Sequence, residues 1–273
     1  MVDYVKLDDD EPRNSKKQII IPQRNWFTFK RVILLAIAFF FIVSFVSSLI
    51  YSFSPKIAVI PLDGVLVTGS TGSIWESSVS SRETVSYIEQ ARDDSSVKAI
   101  VLDINSPGGS PVASEEISKA IESVNHTKPV IAVISDIGAS GAFWVAVSAD
   151  KIYVSPMSIV GSIGVTSAGL SFEDFIKNYN ITYRRLTSGK FKDMGTPYRN
   201  MSTEETKMFQ QLLDEVHQDF IAHVAKSRNL SIEYVKPYAE GQIFLGSQAV
   251  KLKFADKLGY YTDVISDLKK GIW

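Results

Sequence analysis

The chain contains no cysteine. Its absence excludes disulfides, a thiolate nucleophile, Cys-ligated zinc and iron–sulfur clusters. Histidine is nearly as scarce. Only His126, His217 and His223 occur, and no two share an HExxH spacing, so no His-rich metal site is expected. Net charge is also missing. The 29 Lys and Arg meet 30 Asp and Glu, a formal balance of −1, so no basic field is available to hold nucleic acid. Glycine (16) and proline (10) are too few for a collagen-like or low-complexity chain, and 45% hydrophobic residues exclude a disordered one. The 273 residues leave room for one or two packed domains.

The hydrophobicity is concentrated at one place. Val32 to Phe53 contain no charge, no Pro and no Gly, and their polar side chains are Ser44, Ser47, Ser48, Tyr51 and Ser52. As a helix this run spans about 33 Å, enough for a bilayer core of about 30 Å. A buried core helix or a cleaved signal peptide would be the alternatives. The length of the run and the 31 residues ahead of it argue against the signal peptide, although the small Ser47 and Ser48 leave cleavage open. Lys16, Lys17, Arg24, Lys30 and Arg31 precede the run, whereas only Lys56 follows it before Arg82. By the positive-inside rule the N-terminus is then cytoplasmic and the large C-terminal part extracytoplasmic, across an inner or cytoplasmic membrane. Trp26, Phe27 and Phe29 sit where aromatic rings favour the interface, and the acidic run Asp8–Glu11 before Pro12 reads as a solvated tail. The expected organisation is a cytoplasmic head at 1–31, a transmembrane anchor at 32–53 and an exported domain at 54–273.

That domain alternates strand and helix patterns. Ile57–Leu62, Ala99–Ile104, Val130–Ser135 and Lys151–Ser155 are short β-branched runs that read as buried strands. Helical patterns fill the gaps at Glu83–Arg92, Val112–Val124 and Ala142–Ala149. This βαβα order predicts an α/β fold with a parallel core. Ser202 and Glu205 form a capping box opening a long helix to about Ser227, with an apolar stripe of Phe209, Leu212, Leu213, Val216, Phe220 and Val224. Gly69–Ser81, rich in Gly, Ser and Thr, reads as a mobile loop.

Three glycine-rich turns follow or open apolar strands. Asn105-Ser106-Pro107-Gly108-Gly109-Ser110 could cradle an oxyanion or phosphate with backbone amides, or be an ordinary strand–helix turn; it is neither a Walker loop nor GxGxxG. In Gly138-Ala139-Ser140-Gly141-Ala142, small neighbours leave the Ser140 hydroxyl uncovered, as in a nucleophile elbow, yet a helix-capping serine explains the pattern about as well. Val160-Gly161-Ser162-Ile163-Gly164 is a bare turn or a second hydroxyl for the same site. A serine nucleophile needs a base. The three histidines read as solvated surface residues. Lys190 and Lys192 are the other candidates, after the strand-like Ile181–Thr187; if extended, the stretch puts both on one face with Phe191 on the other. A free lysine, with a pKa near 10.4, becomes a useful base only when burial lowers that value by about three units. Periodicity does not choose between the two. Asp136 and Asp193 read as capping or solvated loop residues.

Taken in order, the apolar run followed by IAVIPLDGVL, INSPGG at 104–109, GASGAFWVAVSADKI at 138–152, VGSIGV at 160–165, SGKFKDMGTP at 188–197 and GQIFLGSQAVKLKFADKLG at 241–259 resemble the signal peptide peptidase A family. These are Ser/Lys-dyad serine proteases of the Clp protease–crotonase fold group. The resemblance implies Ser140 as nucleophile and Lys192, in the Phe191-Lys192-Asp193 context, as general base. It implies Ser162 as the residue that orients the lysine, and the Gly109 and Gly141 amides as oxyanion hole, with Gly108 as the fallback donor. Lys190 falls outside that context and is expected to be structural or exposed. No metal and no cofactor are implied. The expected substrates are cleaved signal peptides and other unfolded or hydrophobic peptides. The expected assembly is a membrane-bound homo-oligomer whose sites are shared between protomers, with no nucleic-acid partner. The rival readings are a proteolytically inactive membrane scaffold of the same fold and a crotonase-like acyl-CoA enzyme.

Overall fold

The computed structural model describes residues 26–69 and 77–271. It divides into two compact units, Met1–Ser54 and Pro55–Trp273. The acidic tail at 8–11 lies outside the described residues, as do residues 70–76 of the expected mobile loop.

In the first unit, helix α1 covers Trp26–Phe53. The stretch Lys30–Ser48 has a mean hydropathy of 2.3, long and apolar enough to cross a membrane. No residue from Lys30 to Ser48 is buried, so α1 is not a core helix of this chain. It is compatible with an anchor or with a signal sequence.

The second unit is α/β. In chain order come β1 (Lys56–Asp63), β2 (Val65–Val67), β3 (Ser78–Ser80), α2 (Ser81–Asp93), β4 (Val97–Ser106), α3 (Pro111–Val124), β5 (Val130–Ala139), α4 (Gly141–Val147), β6 (Lys151–Val154) and β7 (Ile159–Gly161). There follow α5 (Glu173–Asn178), α6 (Thr203–Ser227), α7 (Ile232–Val235), β8 (Ile243–Leu245), α8 (Gly246–Lys251), β9 (Lys257–Leu258) and α9 (Tyr261–Lys269). The main sheet runs β1-β4-β5-β6-β9 with every pair parallel. Strand β5 is shared along its length: Ile131–Ile134 pair with β6, while Ile137–Ala139 pair with β7. Strand β8 closes on β7 antiparallel. The four expected β-branched strands of the core, the three helices between them and the long helix opened by Ser202 are present, their ends within a few residues of the apolar patterns.

Side-chain alternation on the central strands explains why both faces are covered. Ile100, Leu102 and Ile104 of β4 and Val130, Ala132 and Ile134 of β5 join the larger core, which takes in residues of α2, α3, α4 and α6. Val101, Ile131 and Val133 point the other way, onto Tyr153 and onto Val264 of α9. Residues Ser78–Ser81, expected to be loop, instead form β3 and the start of α2, because Ser80 caps that helix by accepting from the Glu83 amide. Strand β3 pairs with β2, whose Leu66 is fully buried and bridges to Gly109.

Two other expectations fail. Ile181–Thr187 is not a strand, and Lys190–Lys192 lies in consecutive turns rather than extended chain, so the two lysines do not share a strand face. Among the described residues no strand offers Ile181–Thr187 a ladder, and the Ile181 amide bonds back to the Ile176 carbonyl at 2.8 Å instead. The apolar stripe of α6 is buried only toward its C-terminal half, at Phe220 and Val224; Leu212 is 52% exposed.

Phe254 is fully buried and meets the rings of Phe143, Tyr238 and Phe244 edge-on at centroid distances of 6.0 Å. Phe254→Ala should destabilise the second unit by about 3–5 kcal/mol, read as a lower urea midpoint at unchanged m-value.

Candidate active site

The three glycine-rich turns converge at the C-terminal ends of parallel strands, where open α/β sheets present their ligands. Ser106 at the end of β4 pairs with Gly138, and Ala139 at the end of β5 pairs with Gly161. Ladder register alone therefore sets Ser140 beside Ser162. The Ser140 amide donates to the Gly161 carbonyl at 2.8 Å. Ser140 and Ser162 both hold φ = 53°, an uncommon value for a residue with a side chain. Strained backbone of this kind persists only where the surroundings enforce it.

Ser140 occupies the N-cap position of α4 but makes no side-chain capping bond. The capping alternative for this serine is thereby excluded, and its hydroxyl remains uncommitted at the mouth of a helix N-terminus. The Gly108–Ser110 turn closes over it. Strand β2 grips that turn from behind: Leu66 donates to the Gly108 carbonyl and accepts from the Ser110 amide, both at 2.8 Å. The Gly108 amide is taken up by the Ser106 hydroxyl at 3.1 Å. Among the described residues, no acceptor meets the amides of Gly109 or Gly141. The fallback donor Gly108 is thus the committed one.

Close backbone approach demands glycine at two of these positions. At Gly108 (φ +98°) a Cβ would sit 2.6 Å from the Gly141 nitrogen and 2.9 Å from the Ser140 Cβ. At Gly109 (φ +155°) it would meet the Leu66 carbonyl oxygen at 2.2 Å. Neither obstacle is a flexible side-chain end, so the backbone would have to move.

These turns line a cleft of about 440 Å³ that holds Gly109, Ser140, Gly141 and Ser162 together. Its walls include Trp144 and Phe220, with ring centroids 5.1 Å apart, and Val165 and Val216; His217 and Glu240 add polar groups. Sequence reasoning missed these wall residues. Trp144 stands four positions after Ser140 on the same short helix, a spacing that could have flagged it.

Lys190 and Lys192 are both exposed, and neither lines the cleft. Lys190 pairs with Glu204 and lies over the Phe191 ring at 5.0 Å. Within one chain, then, the serines and the two amides are assembled and the lysines are not.

The histidine expectation needs correcting. His126 is exposed, but His217 bonds the Ala239 carbonyl through Nε2 at 2.6 Å inside the cleft. His223 stacks on Trp144 at 4.5 Å and shares Nε2 with the Ser148 hydroxyl at 3.0 Å and the Trp144 carbonyl at 3.1 Å. An aromatic wall and a helix carbonyl give an imidazole better partners than water alone. Asp193 is not a solvated loop residue either: Arg199 and Arg185 each meet it at 2.8 Å and hold its carboxyl below the usual range. Asp136 is exposed, as expected.

A parallel sheet with helices on both faces, carrying a serine and two free amides where its strands end, defines an α/β protein of the Clp protease–crotonase type. More narrowly, the chain belongs to peptidase family S49, whose profile matches residues 122–273. A candidate protease of Methanocaldococcus jannaschii is 35% identical over 189 residues, covering 69% of this chain and 61% of that protein. A candidate signal peptide peptidase, SppA, of Enterococcus faecium is 31% identical over 217 residues, covering 79% and 63%. The chloroplast serine protease SPPA of Arabidopsis thaliana is 27% identical over 195 residues, covering 71% and 29%. The chain thus spans under two thirds of the length of each of these three relatives.

Burial pushes the His223 imidazole below its ordinary value, against a smaller opposing pull from the Trp144 carbonyl. The folded state therefore binds fewer protons than the unfolded one below the ordinary histidine value near 6.5, and stability falls as pH drops through that region. Urea midpoints should decline from pH 7 to pH 5, with a shallower decline in His223→Gln.

Proposed function

We propose that this chain is a membrane-anchored serine endopeptidase in which Ser140 attacks a peptide carbonyl and Lys192 of a neighbouring protomer serves as the base. The observation that carries this reading is the uncommitted Ser140 hydroxyl at a positive-φ corner beside two unclaimed amides. Neutral lysine accepts the Ser140 proton as the oxygen bonds to the carbonyl carbon. The resulting oxyanion lies between the amides of Gly109 and Gly141, donors each worth about 3 kcal/mol in comparable sites. The lysine then passes its proton to the departing amine as the C–N bond breaks. Water, deprotonated by the same amine, releases the acyl group and restores Ser140. Ser162, adjacent through the β5–β7 register, orients the amine.

The arm that carries Lys192 supports a shared site. Leu170, Phe175, Tyr179 and Ile181 are all more than half exposed, and Leu186 is 98% exposed. Apolar side chains in such number mark a surface that another molecule covers, and a second copy of this chain would bring a lysine to the cleft and take it out of water. The apolar walls of the cleft suit unfolded or hydrophobic peptides, cleaved signal peptides among them. Helix α1 is then the anchor, with the N-terminus cytoplasmic and the second unit outside.

A fluorophosphonate probe should label the native protein and leave Ser140→Ala unlabelled. Lys192→Ala should lose peptide turnover while Lys190→Ala retains it, and native activity should rise from pH 6 to pH 9. Equal labelling of native protein and Ser140→Ala removes the nucleophile assignment; exchanged phenotypes of the two lysine variants move the base to Lys190.

A further inference from the structure

From residue 164 to residue 204 not one residue is buried. Within one chain such a segment has low local stability, so its polar links weigh more in setting its shape. Such a link stands directly beside Lys192. Arg199 Nε and Nη2 donate to the two carboxylate oxygens of Asp193 at 3.1 and 2.8 Å. The same guanidinium donates to both oxygens of Glu205, at 2.8 Å from Nη1 and 2.7 Å from Nη2. Glu205 is 3% exposed and sits in the first turn of α6, where it also accepts from the Ser202 amide at 2.8 Å. Arg199 keeps its charge throughout the working range, and Glu205 is pulled down to about 2 by the guanidinium and the Ser202 amide. Around Asp193, Arg185 adds a contact at 2.8 Å, and the more exposed Lys190 pairs with Glu204, also in the first turn of α6.

We propose that Arg199 is a positioning residue: by gripping Asp193 with one edge of its guanidinium and Glu205 with the other, it fixes the Lys192 turn to the first turn of α6 and so sets where the base is presented. This rests on Lys192 being the base. The turn itself is closed by short-range bonds, Lys192 N to the Gly189 carbonyl at 3.3 Å, Met194 N to that of Phe191 at 3.0 Å, and Thr196 N to that of Asp193 at 3.1 Å. Those bonds shape the turn but tie it to nothing outside itself. The planar fork of arginine matches a carboxylate on each side, a geometry that a lysine ammonium cannot reproduce.

The test uses the assembled full-length protein and a fluorogenic hydrophobic peptide, with kcat and KM measured across pH for native protein, Arg199→Lys, Asp193→Asn, the double variant and Lys192→Ala. Asp193→Asn leaves the Arg199–Glu205 pair and the α6 cap intact, so it carries the test if Arg199→Lys fails to fold. Rates are normalised to folded protein by circular dichroism. Loss of position should lower kcat at pH 7 by about tenfold or more with KM within about twofold. In Arg199→Lys, which conserves the charges around the turn, it should also displace the pH profile of kcat, because a loosely held amine meets a different environment. The double variant should lose no more than either single one. A purely structural role would lower the folded fraction and leave the pH profile where it was. An inactive Lys192→Ala beside unchanged kcat profiles in the foldable Arg199 and Asp193 variants overturns this proposal alone. Full activity in Lys192→Ala overturns the base assignment, and this proposal with it.

Discussion

Everything at the cleft depends on the ladder between β5 and β7. Strand β5 exchanges β6 for β7 partway along, and the pairing of Ala139 with Gly161 ends in the bond from the Ser140 amide to the Gly161 carbonyl. That bond, together with the Phe143 and Trp144 amides donating to the Ser140 carbonyl, holds a non-glycine residue at φ = 53° and turns the chain into α4. The hydroxyl is thereby lifted clear of the sheet, and the Gly141 amide comes to lie beside it. A slip of one residue in this register would invert every side chain of the strand and bury the serine instead.

The second constraint is the packing of bare backbone against bare backbone. Gly108 and Gly141 approach so closely that no Cβ fits at the former, and β2 clamps the turn from the opposite side through Leu66. Among the described residues two amides are left without partners in an otherwise well-bonded corner. Unpartnered backbone donors cost stability, and proteins retain them where a ligand supplies the acceptor. In the proposed reaction that acceptor is the oxyanion.

Much of this was legible in the sequence. Strands β4, β5 and β6 showed themselves as β-branched runs because they are largely buried on both faces, and the glycine-rich turns stood near the ends of such runs. The capping box at Ser202 and Glu205 was also readable, since it is a purely local motif. What escaped was everything made by contacts distant in sequence. Ile181–Thr187 has the composition of a strand but no neighbour to pair with. His217 and His223 sit among polar residues along α6, yet the fold lays them on the cleft and on Trp144. The position of Lys192 was beyond reach for a stronger reason. Within one chain it is exposed and off the cleft, so its role depends on the proposed contact between copies.

The glycine corners also constrain how such a protein can diversify. Gly108 and Gly109 admit no other side chain without moving main chain, so this part of the site cannot be retuned by gradual exchange of residues. Variation is easier at Val165 and Val216, which line the cleft with side chains that are not fully buried, than at Trp144 and Phe220, which also pack on His223 and in the core. The glycine corner is therefore frozen while the rest of the cleft wall can vary, and under the proposed reaction lineages descended from such a chain would diverge in the peptides they accept long before they diverged in chemistry.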